Sequence, residues 1–267
     1  MRSRKLAPPG RSRNGDHMPH YDFRTPRVYL DVPLAAGQAV SLERAQANYL
    51  LNVLRLKHGD ELLLFNGRDG EWQARLAGTG KRALSAVVGE RRREQPRPPD
   101  LHFLFGPLKH ARLDYLVQKA VEMGVSRLQP VLTRHTQVAR VNLDRMRANA
   151  IEAAQQCGIL ALPEVAEPAA FNSAIASADA GRLLVFCDED AEVKDPVAAL
   201  AAAARAGLPL AVLIGPEGGF AEEERAMLLK RPNVVRIALG PRILRADTAA
   251  VAALALVQAV LGDWREN

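Results

Sequence analysis

The chain has 267 residues, 48% of them hydrophobic and 25% charged, ordinary values for a globular protein. That length favours one large or two medium domains with a real core, and no apolar run approaches a membrane span or a secretory signal. The two cysteines, Cys157 and Cys187, stand far apart outside any CxxC spacing, which excludes a disulfide framework or a zinc cluster and makes a reducing cytoplasm the expected home.

The net charge is +6, and its placement matters more than its sum. Residues 1–25 hold six basic side chains (Arg2, Arg4, Lys5, Arg11, Arg13, Arg24) against two acids (Asp16, Asp22), a surplus of four that leaves two for the other 242 residues. A disordered, solvated tail is expected, with Met18 as an alternative start. The body is nearly balanced, so overall basicity says little about a nucleic-acid partner.

Past the tail, RVYLDVPL and ELLLFNGRDGEWQARLAGTG alternate apolar and polar residues around turn signals and predict short antiparallel strands. Between them, SLERAQANYLLNVLRLK has helical spacing with Ser41 placed to cap it. KRALSAVVGE predicts a further strand, closing a small β-rich unit over residues 26–92. The Arg- and Pro-rich RRREQPRPPD then reads as an extended, solvated connection, with the linker proper at residues 93–99. From residue 100 to 267, strand-like LHFLFGPL, RLQPVL, RLLVFCD, LAVLIG and VVRIAL alternate with helices near 110–123, 143–157, 195–206, 221–230 and 248–262. Such alternation implies an α/β domain with a mostly parallel sheet.

In such sheets ligands sit beyond the carboxyl ends of strands. Two of these ends are unusual. LIGPEGGFAEEE, residues 213–224, is neither a Walker loop nor GxGxxG, and Glu222, Glu223 and Glu224 fall in the first turn of the next helix. A phosphate wants that place, and three carboxylates repel it. The loop should therefore receive a ligand without phosphate, approached by backbone at Gly215, Gly218 and Gly219, unless it is simply a tight strand-to-helix turn. The second end is LGPRILRADTAAVAALALVQAVLGDW, residues 239–264, where Gly240-Pro241 breaks a strand and Asp247 or Thr248 can cap the last helix. That helix is apolar almost all round and must be buried by the core or by another subunit.

Together these stretches resemble the 16S rRNA uridine-N3 methyltransferases (RsmE) of the SPOUT superfamily. PLKHARLDYLVQKAVEMGVSRLQPVLT is similar to the family's segment with two lysines, here Lys109 and Lys119, and VLRLKHGDELLLFNGRDGEW to its PUA-like RNA-binding domain. The resemblance covers residues 26–264. It implies a SPOUT domain with a deep trefoil knot and parallel sheet behind a small PUA-like β-barrel, a homodimer, and S-adenosylmethionine as methyl donor. No metal is expected, since the histidines lack ligand spacing. Carried onto matching positions, Leu213, Ile214, Gly215, Pro216, Glu217 and Gly218, with Leu239, Gly240, Ile243, Leu244 and Thr248, would line the cofactor.

The implied substrate is one uridine in the decoding region of 16S rRNA, within the small ribosomal subunit. Its N3 is a nucleophile only once its proton is lost, so the enzyme needs a base or an anion-stabilising cation. Arg245 is the leading catalytic candidate, followed by Glu217 and Asp247. Arg55, Lys57 and Arg68 are candidate phosphate contacts, joined by Arg27, Lys109, Lys119 and Arg134. Cys157 and Cys187 are expected in the core. Three departures stand out: QQCGIL, with Gln155 and Ile159 where the family has an acid and an arginine, Asp247 for a glutamate, and Asn48 and Asn52 for histidines. The altered positions are expected to face RNA or catalysis, and QQCGIL leaves open a SPOUT enzyme for another RNA site or a noncatalytic assembly factor.

Overall fold

The computed structural model describes residues 22, 24–78, 84–138, 140–192, 195–204 and 208–265. The expected disordered tail falls almost wholly outside these residues. The N-terminal unit comprises β1 (Arg27–Tyr29), β2 (Ala39–Ser41), helix α1 (Arg44–Asn48), a π-helical turn at Tyr49–Val53, β3 (Glu61–Phe65), β4 (Glu71–Ala77) and β5 (Ser85–Arg93). Its strands lie in the order β1-β3-β4-β5-β2. Val28, Val40, Leu50, Leu62, Leu64, Leu76 and Val88 form part of its core.

Four local expectations need correction here. The strand β1 runs parallel to β3, because the long crossover through β2, α1 and the π-helical turn lets the chain return in the same direction. Ser41 ends β2 opposite Ser85, and the helix begins after Glu43, whose N–H donates to Gln46 Oε1 at 2.9 Å. The single helix read from spacing is instead a short α-helix followed by the π turn, with Leu54 N–H bonded to Tyr49 O. Finally, β5 continues through Arg91 to Arg93, which pairs with Glu71, so the connection starts later than its composition suggested.

The C-terminal unit comprises β6 (Leu101–Phe105), α2 (His110–Glu122), β7 (Arg127–Leu132), α3 (Leu143–Cys157), β8 (Glu164–Val165), β9 (Ala169–Ala170), α4 (Phe171–Ser177), β10 (Leu183–Cys187), α5 (Pro196–Ala203), β11 (Leu210–Ile214), α6 (Glu222–Leu229), β12 (Val234–Ile237) and α7 (Ala246–Val260). Its strands are parallel in the order β12-β10-β11-β6-β7-β8, with β9 beside β7. Alternation along the strands fills both faces. Phe103, Phe105, Val185, Val212 and Ile214 join Leu116, Ala153 and Leu254 on one side. On the other, Leu104, Phe186, Ala211 and Leu213 join Phe171, Phe220 and Leu228. The register aligns Ile237, Cys187, Ile214 and Phe105 in one row, so four strands end at one rim.

The two units are joined by buried charge. Glu71 on β4 accepts from Arg27 Nε on β1 at 2.6 Å and from Arg93 Nε on β5 at 2.7 Å; the side chains of Arg27 and Glu71 are each 4% exposed. The same arginines reach the carboxyl end of α3, Arg27 to Gln155 O and Arg93 to Gly158 O at 2.8 Å, where helix carbonyls lack partners. Gln155 Oε1 also accepts from Tyr29 N–H at 2.8 Å, and Ile159 packs on the main core. The departure at Gln155 therefore lies at the domain junction, and that at Ile159 lies against the main core. Arg27 is likewise corrected: its guanidinium holds the two units together and is not free to meet a phosphate. Cys187 is buried as expected, but Cys157 is exposed, at the last turn of α3.

Candidate functional site

At the shared rim, the loops after β6 and β11 press backbone on backbone. Gly106 N–H donates to Ile214 O at 3.0 Å, and a Cβ on Gly106 would stand 2.6 Å from Pro216 N. Gly215 has no room for a side chain either, because Phe220 would lie 2.7 Å from it. Gly219, at φ +68°, donates to Pro216 O and closes the turn. The space left by these glycines is taken largely by the loops themselves. By contrast Gly240, at φ +98°, has nothing within 4 Å of a would-be Cβ and lies open.

The acids of the glycine-rich stretch divide by role. Glu224 is buried, and its two oxygens accept from Ala221 N–H and Arg134 N–H, each at 2.9 Å, so one carboxylate starts α6 and ties down the turn after β7. Glu222 and Glu223 are exposed in the first helical turn, with Arg134 3.6 Å from Glu223. Glu217 is half-exposed and paired with Arg112 of α2 at 3.3 Å. His135, beside Arg134, donates from Nδ1 to Gly218 O at 3.0 Å.

A third strand end was missed from sequence. β10 runs into Asp188, Glu189 and Asp190, whose ligand oxygens lie within 4.8 Å of one another. Two arginines pair with these three acids. Arg225 reaches Asp188, Glu189 and Asp190 at 3.3, 3.0 and 2.7 Å, while Arg236 bonds Asp188, only 2% exposed, at 2.7 Å. Glu189 also stands against Gly219, 2.9 Å from where its Cβ would be. The available signal was the acid triplet closing RLLVFCD, a strand run that ends in charge at the rim where ligands bind.

The loop after β12 holds the remaining candidates. Leu239 and Leu244 are half-buried, whereas Ile243 is 91% exposed, an apolar side chain offered outward. Arg245 is exposed and takes the N-cap position of α7; neither Asp247 nor Thr248 caps it, since both fall inside the first turn and Asp247 Oδ1 accepts from Thr248 N–H. The apolar α7 packs on α2, α5 and β11, yet Val251, Leu256 and Val260 remain half-buried. Leu213 and Ile214 point into the two opposite cores, so only their backbone is available at the rim.

Of the candidate RNA contacts other than Arg27, Arg55, Lys57, Arg68, Lys109 and Arg134 are exposed. Arg55 follows the π turn at φ +59°, and Arg68 pairs with Asp31 at 3.1 Å. Lys119 is committed to Glu122 at 2.7 Å, a bond that raises its pKa, and lies over the Tyr115 ring. Asn48 and Asn52 are exposed on α1 and the π turn and bond each other.

The rim thus offers backbone amides and carbonyls, apolar side chains and a carboxylate-rich border whose nearby cations are largely paired. Those residues fit a nucleoside that carries positive charge and no phosphate.

Residues 95–258 match the family described as RNA methyltransferase domain, and residues 42–89 the RNA methyltransferase PUA domain. A ribosomal RNA small subunit methyltransferase E of Rickettsia conorii is 29% identical over 90% of this chain and 98% of its own. Its Synechocystis counterpart is 31% identical over 83% of this chain and 73% of its own. Among solved structures, the Neisseria gonorrhoeae enzyme of the same name, bound to S-adenosylmethionine, superposes with a TM-score of 0.77 at 28% identity over 90% of this chain and 99% of that one. A Legionella pneumophila methyltransferase, also holding that molecule, gives 0.75 at 28% identity. With its two units matched in order and its length spanned almost entirely, the chain belongs to the ribosomal RNA small subunit methyltransferase E family.

Proposed function

We propose that the protein transfers a methyl group from S-adenosylmethionine to N3 of one uridine in the decoding region of 16S rRNA, acting on the small ribosomal subunit in the cytoplasm. The observation that carries this reading is the convergence of the loops after β10, β11 and β12 on one acid-bordered rim, in a chain whose relatives with that fold hold S-adenosylmethionine. Bound there, that molecule supplies an electrophilic methyl group. The backbone of residues 213–218 and 239–244 would hold the adenosine, with Leu239, Ile243 and Leu244 against the base and Thr248 at the open side. Arg245 would stabilise negative charge developing on the uracil. Glu217, already held by Arg112, and Asp247 would border the site. We further propose that the carboxyl-terminal part of the α/β unit forms a deep trefoil knot. A second copy would cover Ile243 and the half-buried face of α7 to give a homodimer.

The departures at Gln155 and Ile159 lend no weight to a different target, because one bonds across the domain junction and the other packs on the main core. Mass spectrometry of rRNA from deletion and parent strains tests the reading. Loss of one N3-methyluridine from 16S rRNA is expected, and an unchanged modification profile refutes it. Among the described residues no helix is long and apolar enough to cross a membrane.

A further inference from the structure

We propose that His135 is the proton acceptor of the methyl transfer, an inference that rests on the uridine N3 reading above. The uracil N3–H is weakly acidic, and its removal requires a base within hydrogen-bond reach. Most rim carboxylates are already engaged: both oxygens of Glu224 take backbone N–H groups, Asp188 and Glu189 take arginines, Glu217 takes Arg112, and Asp247 takes Thr248 N–H, while Glu222 and Glu223 lie exposed on the first turn of α6. The other histidine at this rim, His110, neighbours the Asp114–Arg145 pair.

His135 differs from all of these. Its Nδ1 lies 3.0 Å from Gly218 O, and a carbonyl oxygen can only accept, so Nδ1 carries the hydrogen. In the neutral ring this leaves the lone pair on Nε2. The side chain is exposed, so Nε2 can meet an incoming base. Its mounting is rigid. Thr133 N–H donates to Thr136 Oγ1 at 2.9 Å, the two threonine hydroxyls bond each other, and Arg134 N–H is held by Glu224. Gly218 is fitted to the ring's approach, since a Cβ there would stand 3.0 Å from His135 Cβ. The imidazole is thus locked to the glycine-rich loop proposed to hold the methyl donor, with its tautomer set by that loop, as a carbonyl or carboxylate sets it in other catalytic histidines.

The step balances. The N3 proton passes to His135 Nε2, giving an imidazolium, and the electron pair left on N3 forms the bond to the methyl carbon. The bond from that carbon to sulfur breaks with its pair going to sulfur, which becomes a neutral thioether. The imidazolium then loses its proton to water. Arg134, next in the chain, adds a cation beside the uracil as it becomes anionic.

The experiment compares wild type with His135→Ala and His135→Gln on small subunits assembled from transcribed 16S rRNA, reading kcat, KM, the position of the mark by mass spectrometry, and donor affinity by calorimetry. For both variants we expect kcat to fall about 100-fold or more with donor affinity within twofold of wild type. Added imidazole should restore part of the rate to His135→Ala. Subunits carrying 5-fluorouridine, whose N3–H is more acidic, should narrow the gap between variant and wild type. The proposal is overturned if kcat stays within about threefold of wild type, if donor binding is lost in step with rate, or if neither imidazole nor fluorination recovers activity. A wild-type mark that is not on N3 overturns the underlying reading itself, whatever the variants do.

Discussion

Replacing Glu71 by glutamine keeps the volume at the domain junction and removes its negative charge. In the native protein that carboxylate receives Arg27 Nε at 2.6 Å and Arg93 at 2.7 and 2.9 Å. The variant leaves the almost fully buried Arg27 guanidinium facing an amide that cannot neutralise it. Removing one partner of a buried ion pair costs about 3–5 kcal/mol. For a chain of this size that corresponds to a fall in Tm of roughly 6–20 °C by calorimetry at neutral pH. The pH dependence separates charge from packing. Burial pushes the Glu71 carboxyl up, but its bonds to Arg93 and Arg27 outweigh burial and hold it below the usual glutamate range. A depressed carboxylate contributes stability that is fully present above its unfolded value, about 4.3, and is lost as pH falls through the folded value. The difference between wild type and Glu71→Gln should therefore be full at pH 7 and shrink in acid, where the native side chain is itself neutral. A Tm change below about 2 °C at pH 7, or a difference that does not depend on pH, refutes the assignment of the junction to charge.

Arg245→Ala should bind S-adenosylmethionine normally by calorimetry and lose about 100-fold or more in kcat; near-normal turnover removes Arg245 from the chemistry. Gly106→Ala places a methyl group 2.6 Å from Pro216 N, a backbone atom that cannot swing aside, so it should cost about 1–3 kcal/mol in urea unfolding and weaken donor binding, while retained affinity would show that the two loops move independently. Under native conditions a maleimide should modify Cys157 and spare Cys187, whose thiol burial pushes up to about 12, with peptide mass mapping as the readout.

Much of this architecture could be read from local pattern. α3 occupies the residues that its apolar spacing indicates, and the five long apolar runs of the C-terminal unit are five of its parallel strands, because periodicity and length are properties of contiguous residues. The two-residue strands β8 and β9 and the seven-residue α4 are too short to establish a period. Ser41 suits a helix cap and a strand end equally well, and pairing with Ser85 decides between them. The glycine-rich turn and the arginine-bearing loop announced a site. Nothing near Arg27 signals that its partner is Glu71 on another strand or that its contact is the end of α3. Likewise His135 stands 83 residues from Gly218, and only the folded chain shows them touching.

Helix α3 has a consequence for what can serve as substrate. One of its ends is gripped by the N-terminal unit, and the other starts at Leu143, eight residues past His135. Its 15 residues make a strut of about 22 Å at 1.5 Å per residue. Under the proposed function, an RNA element held by the N-terminal unit and a nucleotide presented at the strand-end rim would be spaced by that strut, as by a ruler. A short oligonucleotide containing the target uridine, but too small to reach both ends of that ruler, should be a poor substrate even though every atom that reacts is present.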